Sequence, residues 1–263
     1  MHPKSFSLNK SILLIVLILL IDQVSKVYIK TNFVLGEEVR VFDWFKILFV
    51  ENEGMAWGAR IPGEYGKLIL TLFRLVAICG IGYWLWDSVR KISPRVLIVA
   101  ISFIFAGAMG NIIDSVFYGI IFDDSVNQVA TLFPPDGGYG TIFHGKVVDM
   151  LHFPIWKGYL PDWLPFWGGD YYMFFRPVFN IADSAITIGV ILIILFQKTF
   201  FGATYGSLFS VLFIAFCSLF SYHSLLSAPA RPQQLFLGNL QREISCLRGM
   251  ANATRLEKLK AFA

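Results

Sequence analysis

Charge is what this chain has least of. Only 15% of its 263 residues are Asp, Glu, Lys or Arg, against roughly 25% in soluble domains, while 56% are hydrophobic. The mean hydropathy is +0.63. This balance excludes an ordinary soluble domain and predicts a polytopic membrane protein. The net charge of +4 is too small to argue for nucleic acid and suits basic cytoplasmic loops. Cysteine is scarce too. Cys79, Cys217 and Cys246 are scattered and odd in number, so they spell neither a disulfide framework nor a zinc spacing. There is no Gly-x-Ser-x-Gly, His-Glu-x-x-His, Walker loop or dinucleotide fingerprint, and nothing demands a metal or organic cofactor. Internal repeats and low-complexity tracts are also missing.

What is there is a series of long apolar runs. A membrane helix needs about 20 such residues. Stretches 11–29, 67–86, 96–113 and 179–196 meet or approach that, and 206–222 is apolar but shorter. The first run has the basic flank of a cleavable signal peptide, yet no small-residue cleavage site follows it. Lys4 and Lys10, then Arg90, Lys91 and Arg95, then Lys198 fall on one side if the chain weaves across four times. The positive-inside bias makes that side, and the amino terminus, cytoplasmic. Residues 30–66 and 114–178 then lie outside. Within them, 39–50 reads as a surface strand or hairpin. The segment 153–175 is dense in rings, including Trp156, Trp163 and Trp167, which favour the headgroup level. Residues 123–140 read as an exposed loop with turns at Pro134-Pro-Asp-Gly-Gly138. The expected architecture is an all-α membrane protein: a four-transmembrane-helix bundle with a small extracytoplasmic β cradle and a long outer loop. Residues 1–198 form the membrane domain. Residues 199–263 form an extension, possessing a further apolar segment and a basic tail that fits poorly with a fifth crossing.

Ionisable residues inside membrane helices are costly and usually functional. Here they gather at one face. Asp22 and Lys26 lie at the outer end of the first run, Asn111-Ile-Ile-Asp114 closes the third, and Asn180-Ile-Ala-Asp183 opens the fourth. Residues three or four apart share a helix face, so each unit points one way. Ala106 and Gly110 are small residues that let the third helix approach a neighbour. Asn52 and Asp149 join from the outer segments. Each of these has a plain alternative: an interface ion pair for Asp22 and Lys26, a cap for Asp114 or Asp183, interhelical glue for Asn111 and Asn180, a solvated loop acid for Asp149. Arg74 reads as a snorkelling or paired side chain without chemistry. Two carboxyl groups close together share a proton, which suits metal-free peptide hydrolysis: one activates water, the other polarises the carbonyl and protonates the leaving amine. His144, Asp149 and His152 are near in sequence but match no zinc spacing. A transporter or channel is the rival class, and it predicts polar groups spread through the membrane depth. A non-catalytic scaffold is the third.

Asp22-Gln-Val-Ser-Lys26, Asn52-Glu-Gly-Met-Ala-Trp-Gly58, Gly107-Ala-Met-Gly-Asn-Ile-Ile-Asp114, Val147-Val-Asp149 and Phe179-Asn-Ile-Ala-Asp-Ser-Ala-Ile186 together resemble lipoprotein signal peptidase, or signal peptidase II, over roughly residues 10–198. The resemblance implies four membrane helices and an extracytoplasmic strand cradle in the bacterial inner membrane. It implies cleavage of diacylglyceryl-modified prolipoproteins just before the lipidated Cys, with Asp149 and Asp183 catalytic. Asn52, Asn111 and Asn180 match residues that position substrate or the dyad, and Asp22, Lys26 and Asp114 match supporting positions. It implies contact with membrane lipids and binding of globomycin-type inhibitors. Two departures stand out. Ser115 replaces the Arg that the family has after the third-helix Asp, with Arg176 or Lys146 as candidate substitutes. The family joins that Asp to the catalytic one by a short connection, whereas here they are 149 − 114 = 35 positions apart, and the extra loop is a candidate lid or substrate guide.

Overall fold

Three uninterrupted apolar helices stand out among the described residues: α1 (Leu8–Lys30), α2 (Gly66–Arg90) and α3 (Arg95–Ile121). At 23, 25 and 27 residues, all three are long and apolar enough to cross a membrane. A shorter apolar helix, α4 (Ile181–Gln197), joins them among the described residues. The computed structural model describes residues 6–52, 66–163, 169–197 and 199–200. The stretch 53–58 of the Asn52 motif, the run at 206–222 and the basic tail lie outside the described residues.

The helices match the expected runs, with one correction. The third does not end at Asp114. It continues for nearly two turns to Ile121 and stops where Phe122 turns extended at φ −120° and ψ 151°. Asp114 has no need to leave the helix, because its charge is matched there by Lys26 at 2.8 Å. The added turns also bury Tyr118, which packs with Phe122 against Ile29, Phe49, Val148 and Met150.

The helices meet along faces of Ile, Leu and Ala: Ile15 and Ile18 of α1, Ile81 and Leu85 of α2, Ile98 and Ile101 of α3, Ala185 and Ile193 of α4. Lipid is as apolar as these residues, so close packing must drive the association. Gly110 shows how close: a Cβ there would lie 2.6 Å from Asp22 Oδ2. A Cβ on Gly107 would collide with the Ala182 carbonyl. Small residues on α3 therefore bring it against α1 and α4 where their polar groups lie.

The segment read as a strand or hairpin is a hairpin. β1 (Glu38–Phe42) pairs antiparallel with β2 (Phe45–Asn52). β2 pairs in turn with β3 (Val147–His152), and β3 with β6 (Val178–Phe179), giving the order β1-β2-β3-β6. β3 is central and buried almost throughout, which explains its apolar run around Asp149. Asp149 is thus not the solvated loop acid of the plain reading, since it is 1% exposed on a strand. The ring-rich segment holds a second hairpin, β4 (Trp156–Tyr159) with β5 (Tyr171–Phe174). Its Trp156, Tyr159, Tyr171, Tyr172 and Phe174 are exposed on both of its faces. The long connection 122–146 is tied down by the bridges Val34↔Val129 and Phe122↔Leu132, and Gly137 N–H closes a turn on the Pro134 carbonyl.

Candidate active site

Five elements, α1, β2, α3, β3 and α4, deliver the eight residues singled out from the sequence to one hydrogen-bonded group. α4 begins with Asn180 as its cap. The Asn180 Oδ1 accepts the Asp183 N–H at 2.9 Å, and Asp183 Oδ2 accepts the Asn180 N–H at 3.4 Å. This reciprocal pairing is a capping box, with Asp standing where Glu or Gln is usual. It fixes the Asp183 carboxylate at the first turn of the helix. The Asn180 amide also reaches β3, donating to Asp149 Oδ1 at 2.8 Å. One asparagine thus ties together the two carboxylates. Asn111 of α3 donates to Asp183 Oδ1 at 2.8 Å, and Asn52 at the end of β2 donates to Asp149 Oδ2 at 3.4 Å.

A layer deeper, Lys26 is fully buried. It bonds Asp22 at 2.9 Å, Asp114 at 2.8 Å and the Asn111 Oδ1 at 2.9 Å. The i,i+4 pair is present as expected, but Asp114 makes it a triad. Asp22 also accepts the Ala182 N–H at 2.9 Å, so the start of α4 is held from α1. Asp114 accepts the Val148 N–H at 3.4 Å and so touches the strand that carries Asp149.

Electrostatics follow from burial. Loss of water first, and the Asp183 charge second, push the Asp149 carboxyl well above the usual carboxylate range. The donors from Asn52 and Asn180 oppose that shift. A buried pair that resists double ionisation can hold one shared proton, and the pair titrates as a unit. Such a site can take a proton from water with one carboxylate while the other carboxyl donates a hydrogen bond.

One contributor escaped the sequence reading. Gln23 donates to Asp114 Oδ1 at 2.9 Å and to Asp22 Oδ2 at 3.1 Å, and accepts from Tyr118 OH at 3.2 Å. An amide on an apolar helix was the available signal. Arg74 of α2, read from the sequence as a snorkelling or paired side chain, is buried, and its guanidinium lies near enough to Asp183 to feel its charge. Ser115 turns inward and donates to its own helix at the Asn111 carbonyl, 2.9 Å away. Lys146 is engaged with Glu51 at 3.0 Å. Among the described residues, no three His, Cys, Asp or Glu side chains gather where a metal could bind. Asp149 and His152 are three apart on a strand and so point to opposite faces. His144 bonds Thr141 at 2.9 Å instead.

The chain has known counterparts. Residues 14–200 match the model of the family described as signal peptidase (SPase) II. A lipoprotein signal peptidase of Porphyromonas gingivalis is 53% identical over 182 residues, covering 69% of this chain and 79% of that protein. One from Amoebophilus asiaticus is 38% identical over 186 residues, covering 69% and 75%. A solved structure described as a bacterial membrane enzyme is 30% identical with a TM-score of 0.50, covering 76% of this chain and 94% of that one. A family match that spans most of the chain, together with relatives at these identities, means that the chain belongs to the signal peptidase II family of bacterial membrane proteases.

Proposed function

We propose that this chain removes the signal peptide from diacylglyceryl-modified prolipoproteins, cutting before the lipidated Cys with a water activated by Asp149 and Asp183. The observation that carries the reading is the Asn180 link: one amide bonded to Asp149, in a residue that also caps Asp183. The ionised carboxylate takes a proton from the water as its oxygen attacks the scissile carbonyl carbon. The protonated carboxyl meanwhile donates to the carbonyl oxygen. The tetrahedral intermediate then breaks at the C–N bond, the leaving amine takes a proton from the pair, and the shared proton is restored. Asn52, Asn111 and Asn180 orient the carboxylates, and Asp22, Lys26 and Asp114 support them from below.

The reading places four spans in the inner membrane with the amino terminus cytoplasmic and the dyad at the outer face. α4, at about 1.5 Å per residue, reaches roughly 26 Å, close to the ~30 Å hydrocarbon core. Asp183 in its first turn would then sit at a membrane boundary, where a lipidated substrate presents its cut site. The exposed rings of the β4–β5 hairpin suit contact with lipid headgroups. Residues 1–198 make up the catalytic domain, with 199–263 an extension. Inhibitors of the globomycin type would occupy the same site.

The test is processing of a diacylglyceryl-modified prolipoprotein by purified protein, followed by gel shift. Wild type should cleave with chelator present, and Asp149→Asn and Asp183→Asn should each lose on the order of 10²–10⁴-fold or more. Activity retained in either variant, or lost to chelator, sinks the reading.

A further inference from the structure

Directly before Asn52 on β2 stands Glu51, whose partner on β3 is Val148, the residue before Asp149. Its side chain is 3% exposed and takes two cations: Lys30 from the last turn of α1, and Lys146 at 3.0 Å from the residue before β3. Ser125 donates to Glu51 Oε1 at 3.0 Å and accepts from Lys30 at 2.8 Å. The Tyr139 ring lies 4.9 Å from Lys30 Nζ, and its hydroxyl accepts the Lys146 N–H at 2.6 Å. One carboxylate therefore joins α1, β2 and both ends of the 122–146 connection.

Burial would push the Glu51 carboxyl up, but Lys30 and then Lys146 outweigh it and hold it below the usual carboxylate range. A buried ion cluster of this kind is weak as a source of stability, because desolvation offsets the attraction. Its value here is geometric. The β2–β3 ladder shifts register between Ile47 and Val50, immediately before Glu51. Past the irregularity the ladder runs for only three pairs, Val50 with Asp149, Glu51 with Val148 and Asn52 with Val147, before β2 ends. The two lysines pin that end. Asn52 follows it on β2, and Asp149 lies two residues into the strand that Lys146 precedes.

We propose that Glu51 is a positioning residue of the proteolytic site: by holding Lys30 and Lys146 at once it sets Asn52 against Asp149 and straps the 122–146 connection to the same point. This rests on the dyad reading above.

Steady-state cleavage of a diacylglyceryl-modified peptide by the purified full-length chain tests it, with kcat counted per monodisperse enzyme. Glu51→Gln keeps the shape and removes the charge. It should lower kcat on the order of tenfold to a hundredfold, the scale of a misplacement near the reacting groups. KM should stay within about twofold. Glu51→Asp, which restores the charge, should recover part of kcat. Lys146→Met should also lower kcat, and the double variant with Glu51→Gln should be no worse than Glu51→Gln alone, since both break one clamp. A wild-type kcat in Glu51→Gln, a loss confined to KM, or losses that multiply in the double variant would overturn the proposal. Asp149→Asn runs alongside. If it is as active as wild type, the dyad reading itself has failed; if it is inactive while Glu51→Gln is unaffected, only the role of Glu51 falls.

Discussion

Two buried lysines, one turn apart on α1, lead to clusters of opposite character. Lys26 lies among Asp22, Asp114 and Asn111, and through Asn111 and Asn180 its group extends to Asp183 and Asp149. Among the described residues, these four carboxylates have Lys26 and Arg74 as their nearby cations. Lys30 shares the single carboxylate of Glu51 with Lys146. A buried excess of carboxylates cannot ionise completely and retains a proton. A carboxylate between two cations has nothing to exchange. The first cluster is suited to move a proton, the second to hold chain segments in place.

Removing the lysines one at a time should separate the clusters. Lys26→Met leaves Asp22 and Asp114 buried without their cation, an expected cost of about 3–5 kcal/mol, read as a lowered thermal transition in detergent. A variant as stable as wild type would erase the distinction. Lys30→Met should cost about 1–3 kcal/mol, because Lys146 still faces Glu51. Lys146, whose side chain is 28% exposed, should cost about 1 kcal/mol or less as Met. Any other order in the same measurement breaks the comparison.

The smallest effect, and the one with opposite signs, comes from pH. Asp149 is raised on folding, so its contribution is full below the ordinary aspartate range and is lost as pH rises through its folded value. Glu51 is lowered, so its contribution is present above the ordinary glutamate range and is lost as pH falls through its folded value. In melting curves taken across pH, Asp149→Asn should flatten the alkaline decline and Glu51→Gln the acid one. Activity should follow a bell whose alkaline limb lies above the usual carboxylate range, as expected when one of the pair must keep its proton.

Much of the first cluster was legible in advance. Helical spacing placed Asp22 with Lys26, Asn111 with Asp114 and Asn180 with Asp183, since a helix repeats its faces every three to four residues. The continuation of α3 past Asp114 was not legible, because the reason for it is a lysine on another helix. Gln23 was passed over, and Arg74 was left without a named partner, for the same reason: Asp114 and Asp183 are remote from them in sequence. The second cluster was invisible. Lys30, Glu51, Ser125, Tyr139 and Lys146 share no periodicity, and only the hairpin register and the path of the long connection bring them together.

By itself the sequence determined the apolar helices, the polar pairs on them and extended structure at 39–50, because hydrophobic length and residue period are local properties. The tertiary structure decided which carboxylates share a cation and which share an asparagine. It also decided that Asp149 is buried on a central strand rather than solvated on a loop. Charge in a low-dielectric interior is settled by what lies within a few ångströms, and those neighbours come from segments up to 160 residues apart, as Asp22 and Ala182 are.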